Sequence, residues 1–114
     1  MAITYISSLD APSVDCPTSE ASFYLLPATP EATKLINGAL KVVNRTAGAL
    51  SYTAYAVPDG DSSGDSNVFA QAISVPANDY LVIKIPQVNA ATDIRHLCSS
   101  AGLTVHLDSG YLLS

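Results

Sequence analysis

A chain of 114 residues has the size of one domain, because two independent cores would each be too small to be stable. Hydrophobic residues make up 48% and charged ones only 13%, against roughly 25% charged in an average soluble domain, so a core can be filled while the outside carries little charge. The formal net charge is -5, and the five cations Lys34, Lys41, Arg45, Lys84 and Arg95 are scattered; this leaves no sequence-local basic patch for nucleic acid or for an anionic membrane surface.

At the start, MAITYISSLD has neither a basic n-region nor an apolar h-region, and no apolar run approaches the roughly 18 residues of a membrane span. Synthesis and retention in the cytosol are the expectation. Residues 2–7 read as a brief strand, and residues 8–21 are dominated by small, polar and Pro side chains. Residues 1–21 are therefore expected to form an extended N-terminal arm that orders on a neighbour's sheet edge. The alternative is an edge strand and loop of the same domain. Residues 22–114 make the second unit, the sandwich domain.

Pro and Gly divide that unit into short segments rich in Val, Ile, Leu, Tyr and Thr, which fit a pleated, half-buried surface. The fold class expected is all-β, an antiparallel, jelly-roll-like β-sandwich. Residues 22–26 form a strand ending at Pro27, and residues 30–37 (PEATKLIN) allow one helical turn at most. Residues 35–44 place Ile36, Leu40 and Val42 on one face. The turn chemistry of residues 44–49 (NRTAGA) then joins them to residues 50–57 as a hairpin. The polar stretch 58–67 (PDGDSSGDSN) is a surface loop before residues 68–75, in which Phe69, Ile73 and Val75 share a side. Residues 80–85 alternate Leu81, Ile83 and Ile85 with Tyr80, Val82 and Lys84, the Lys marking the wetter face. Residues 94–99 form the penultimate strand. In the last, Leu103, Val105 and Leu107 point inward and Thr104 and His106 outward. The apolar end Tyr111-Leu112-Leu113 is expected to be packed against something.

From residue 33 to the end, the segments "TKLINGALKVVNRTAGALSYTAYAVPDG", "SVPANDYLVIKIP" and "LTVHLDSGYLL" resemble, in layout and turn chemistry, small β-sandwich virion proteins of tailed bacteriophages. Such proteins decorate or cement capsids, or form accessory parts of necks and tails, as symmetric oligomers. The layout departs from theirs at residues 89–93 (NAATD), where a clearer Gly turn is expected before the penultimate strand. The resemblance implies a location in the virion, with synthesis in the host cytoplasm. It implies as partners a major capsid protein and further copies of this chain, with a trimer favoured.

The loop carries Asp59, Asp61, Ser63 and Asp65 at the first, third, fifth and seventh positions of an EF-hand-like spacing, with Gly64 sixth. A bound Ca²⁺ is one reading. Ala70 in place of the closing Glu, and flanks that read as strands, favour a solvated loop. His96 and His106, with Asp93 and Asp108 nearby, lack any G-x-S-x-G, H-E-x-x-H or clustered Cys/His signature. Both read as solvent-facing strand residues, and neither enzymatic activity nor a cofactor is expected. Cys16 and Cys98 are expected to stay reduced, with Cys98 a small core residue. Tyr52 and Tyr55 fall on opposite faces of one strand, so at least one should be exposed or at an interface. The interface set is Ile3, Tyr5, Tyr52, Tyr55, Tyr111, Leu112 and Leu113. The function expected is that of a capsid decoration or cement subunit, the alternatives being a tail or neck accessory protein and a glycan- or ligand-binding sandwich.

Overall fold

The computed structural model describes residues 3–5 as backbone, and residues 14–29 and 34–113 in full. Its strands are β1 (Ile3–Tyr5), β2 (Val14–Asp15), β3 (Ala21–Leu25), β4 (Lys34–Asn44), β5 (Leu50–Val57), β6 (Val68–Val75), β7 (Tyr80–Lys84), β8 (Val88–Asn89), β9 (Asp93–Cys98) and β10 (Leu103–Leu113). No helix occurs among the described residues. Pro27, Pro58, Pro76 and Pro86 stand just beyond strand ends, where a missing N–H costs the ladder nothing.

Two antiparallel sheets result. In the first, the 11-residue strands β4 and β10 pair along their whole length. β1 and β2 lie on the far side of β10, and β7 and β8 on the far side of β4. The second runs β3-β9-β5-β6. The chain crosses between sheets at every connection from β2 to β5, stays in the second sheet for β5 and β6, and then crosses back to β7. This is the strand order of a jelly roll, two Greek keys wrapped into a sandwich. The all-β, jelly-roll-like expectation therefore holds, but two local expectations do not. Residues 34–37 are strand instead of a helical turn; residues 30–33 lie outside the described set. Nor do β4 and β5 form a hairpin, since they belong to opposite sheets and residues 45–49 bridge them. The hairpin is β5–β6, closed by the polar loop 58–67.

That bridge is held from inside the core. Asn44 is 1% exposed; its Nδ2 donates to Gly48 O (2.9 Å) and Val75 O (3.0 Å), and its Oδ1 accepts from the Thr46 N–H (2.9 Å) and Oγ1 (2.7 Å). A buried amide with every donor and acceptor used costs little and specifies one path for the chain. Backbone bonds from Asn44 N to Asp79 O, Asn78 N to Thr46 O and Arg45 N to Gly102 O draw three crossovers together at this end.

Bulges explain why the predicted faces are partly shifted. Asn37 takes φ 53°, and the register with β10 slips beside it. The inward set of β4 is therefore Leu35, Gly38, Leu40, Val42 and Asn44, while Ile36, predicted inward, is only half-buried. Gly38 is needed there because a Cβ would sit 3.1 Å from Ile85 Cβ, across the bond from Ile85 N to Gly38 O. In β6, Ala72 at φ 48° resets the phase, so Ala70 and Val75 are buried, Phe69 only partly, and Ile73 is 38% exposed. The alternations predicted for β7 and for the first half of β10 are observed. The penultimate strand buries Ile94, His96 and Cys98, its entry turned by Ala91 at φ 61° where a glycine was expected.

Candidate interaction surfaces

Directly paired residues of an antiparallel sheet project to the same side, so the register defines the outer face of the first sheet. Lys41 pairs with Val82 and His106, Val43 with Tyr80 and Thr104, and Ala39 with Lys84 and Ser109. On this face Tyr80 is 51% and Val82 55% exposed. The Lys41 ammonium lies 4.5 Å above the Tyr80 ring, a cation–π contact that holds the aromatic side chain against the sheet. At the β2 margin Arg45 Nε donates to Thr104 Oγ1 (2.8 Å), and Nη2 to Asp15 Oδ1 (3.3 Å). The face thus carries an apolar strip rimmed by cations, although the chain as a whole is acidic.

The outer face of the second sheet is different. Arg95 sits between Glu20, with Nε 2.6 Å from Oε2, and Asp93, with Nη1 2.9 Å from Oδ2. Glu20 also accepts from the Ser63 hydroxyl, and Asp93 from Ser22. The Ser63 bond, and next to it Arg95, hold the Glu20 carboxyl below the usual range. These contacts fold the loop back over β3 and β9 and leave an open cleft of about 410 Å³, lined by Leu25, Val57, Asp59, Asp61 and Arg95 among others. Leu25, at its rim, is 61% exposed.

The calcium geometry read from the loop spacing is not adopted. Asp59, Asp61 and Asp65 are solvent-exposed, Ser63 turns to Glu20, and Asn67 bonds within the loop to the Gly64 N–H and Ser62 O. Among the described residues no three His, Cys, Asp or Glu side chains form a metal-binding group.

His96, predicted to face solvent, is 1% exposed. It is enclosed by Tyr52, whose hydroxyl lies 3.0 Å from Nδ1, and by the Phe23 ring, its centroid 5.2 Å away. Burial lowers its pKa to about 4, so the ring is neutral and can exchange one hydrogen bond with Tyr52. Asp93 faces the other side of β9 and cannot orient it. His96 and Tyr52 are a satisfied polar pair in the core, beyond reach of any substrate. Tyr52 is fully enclosed, which corrects its place in the predicted interface set, and Tyr55 is half-buried. Tyr111 is 36% exposed and Leu113 8%, and both lie between β1 and β4 of their own chain. The side chains of Ile3 and Tyr5 lie outside those described.

Sequence reasoning missed Leu25, Tyr80 and Val82 as exposed apolar residues. For the last two, the alternation that put them beside Lys84 already carried the signal.

No protein-family model and no curated protein matches the chain. Among solved structures it is similar to a chain of the infectious bursal disease virus particle, with TM-score 0.50 and 11% identity over 97% of its own length. It is also similar to a chain of the Gx strain of that virus, with TM-score 0.47 and 14% identity over 97%. It spans only 30% and 35% of those two chains. Together with the strand order, the first likeness shows the fold alone: an antiparallel jelly roll.

Proposed function

We propose that this chain is a virion structural protein, a decoration or cement subunit that stabilises a bacteriophage shell by bridging major capsid proteins. The observation that carries the reading is that nearly the whole chain is one capsid-type jelly roll with an apolar strip left open on an outer face. The role is structural and needs no catalytic group. Its mechanism is surface burial: covering the exposed halves of Tyr80 and Val82 contributes about 1 kcal/mol each. Summed over symmetric copies, a trimer in the simplest case, such contacts lower the free energy of the closed shell relative to free subunits. Residues 1–21 join the contact as edge strands of the same domain, since β1 and β2 pair with β10 of their own chain and Cys16 is buried in its core; Tyr111 and Leu112 on β10, and Tyr55 on the outer face of the second sheet, are further contacts.

The decisive experiment strips capsids of this subunit, adds back the purified protein, and locates it by electron cryo-microscopy. Density of this fold at a fixed symmetry position on the shell is the expected result. Density only at the neck or tail moves the protein to the accessory class. A monomer that ignores capsids and binds glycans through the cleft by Leu25 and Arg95 overturns the assembly reading.

A further inference from the structure

The two cysteines are far apart in sequence and adjacent in space. Cys16 follows β2 directly, and its backbone N–H donates to Leu103 O at 2.8 Å, anchoring it to the start of β10 in the first sheet. Cys98 ends β9 in the second sheet, and its N–H donates to Pro17 O at 2.9 Å. The Cys98 thiol lies 3.3 Å from Cys16 O and 3.4 Å from Pro17 O. The Cys98 sulfur thus rests against the backbone of Cys16, and both cysteines are buried and unbridged.

We propose that Cys16 and Cys98 form a preorganised disulfide site, which on oxidation staples the segment after β2 to the end of β9 and so ties the two sheets together. The oxidant is a low-molecular-weight disulfide such as glutathione disulfide. One protein thiolate attacks its S–S bond, releasing one glutathione thiolate and leaving a mixed disulfide. The second protein thiolate then attacks the protein sulfur of that mixed disulfide and releases the second glutathione. The two protons lost by the cysteines end on the two glutathione thiols. The protein gives up two electrons and one glutathione disulfide takes them.

The closed state protects the pair. Burial, with Cys98 alongside, pushes the Cys16 thiol up, so little Cys16 thiolate is present to attack, and both cysteines are shut away from solvent. β2 and the residues after it are held at this edge by the pairs Asp15 with Thr104 and Val14 with Val105 and by the backbone bonds Cys16 N to Leu103 O and Cys98 N to Pro17 O. A local opening that breaks these bonds uncovers Cys16, and the reaction runs through that opening. Once closed, the bond spans 82 positions of chain, so it restricts the unfolded state over most of its length. It also prevents the segment after β2 from leaving its own subunit. None of this depends on the role in a virion.

The test incubates the intact protein with a glutathione redox mixture, traps free thiols with iodoacetamide in denaturant, and measures intact mass and melting temperature. Expected is a monomer about 2 Da lighter with no alkylation, melting about 10 °C higher than the reduced form, and forming faster in low urea. Two alkylated cysteines at equilibrium, a disulfide-linked dimer on a non-reducing gel, or a bridged monomer that melts lower than the reduced protein would each overturn the proposal. Cys98→Ser removes the mass change and the melting shift together if the assignment is right. A shift that persists in that variant refutes it.

Discussion

Acid should destabilise this protein through His96. In the unfolded chain its imidazole titrates near the ordinary value of 6.5, whereas in the core burial lowers it to about 4. Between these values the unfolded state binds a proton that the folded state refuses, so stability is full above pH 6.5 and is lost as pH falls towards 4. Each pH unit in that window removes about 1.4 kcal/mol, for a total of about 3 kcal/mol, a large share of the 5–15 kcal/mol typical of a small domain. The measurement is urea unfolding, followed by circular dichroism at pH 7.5, 6.0, 5.0 and 4.5, for the wild type and His96→Gln. Gln can still bond the Tyr52 hydroxyl but does not titrate. Protonation of the carboxylates is common to both proteins and cancels in the difference between their slopes. The wild type should lose stability more steeply than the variant from pH 6.5 downwards, and an NMR titration of the folded protein should leave His96 neutral at pH 5. Parallel slopes, or an imidazole titrating near 6.5 in the native state, would refute the burial argument.

Asn44→Ala leaves Gly48 O, Val75 O and the Thr46 N–H without their partner and should cost about 2–4 kcal/mol in urea unfolding, with little change in the slope of the transition. Gly102 has φ +134°, and a Cβ there would lie 2.3 Å from Thr46 Cγ2. Gly102→Ala should therefore destabilise by more than about 1 kcal/mol, and Gly102→Ala with Thr46→Ser should recover part of the loss. Ala91 holds φ 61°, so Ala91→Gly should raise the melting temperature by a few degrees, reflecting about 1 kcal/mol of relieved backbone strain. Tyr80→Ser with Val82→Ser removes the apolar strip without touching the core. That pair should melt like the wild type yet rebind stripped capsids at least about tenfold more weakly, the loss of about 2 kcal/mol per subunit; unchanged rebinding would place the contact elsewhere.

Composition and period-2 patterning carried a large part of the fold. The positions of β5, β6 and β7, the first half of β10 from Leu103 to Leu107, the inward sets Leu81-Ile83-Ile85 and Leu103-Val105-Leu107, and the all-β class follow from alternation and from Pro and Gly at segment ends, whereas β10 runs on through Gly110 to Leu113. These are local properties, set by which side chains a pleated strand sends to each face. What only the tertiary structure decided is partnership. β4 and β5 are neighbours in sequence, joined by good turn residues, yet Asn44 reaches inward to Val75 O and sends the chain across to the other sheet. The bulges at Asn37 and Ala72 shift the phase of burial mid-strand, which a fixed period cannot anticipate. His96 and Tyr52 look like surface residues until they face each other, because burying a polar side chain is tolerable only when its partner arrives from another strand. Cys16 and Cys98 meet for the same reason: sequence separation of 82 positions says nothing about distance once β2 and β9 are placed on facing sheets.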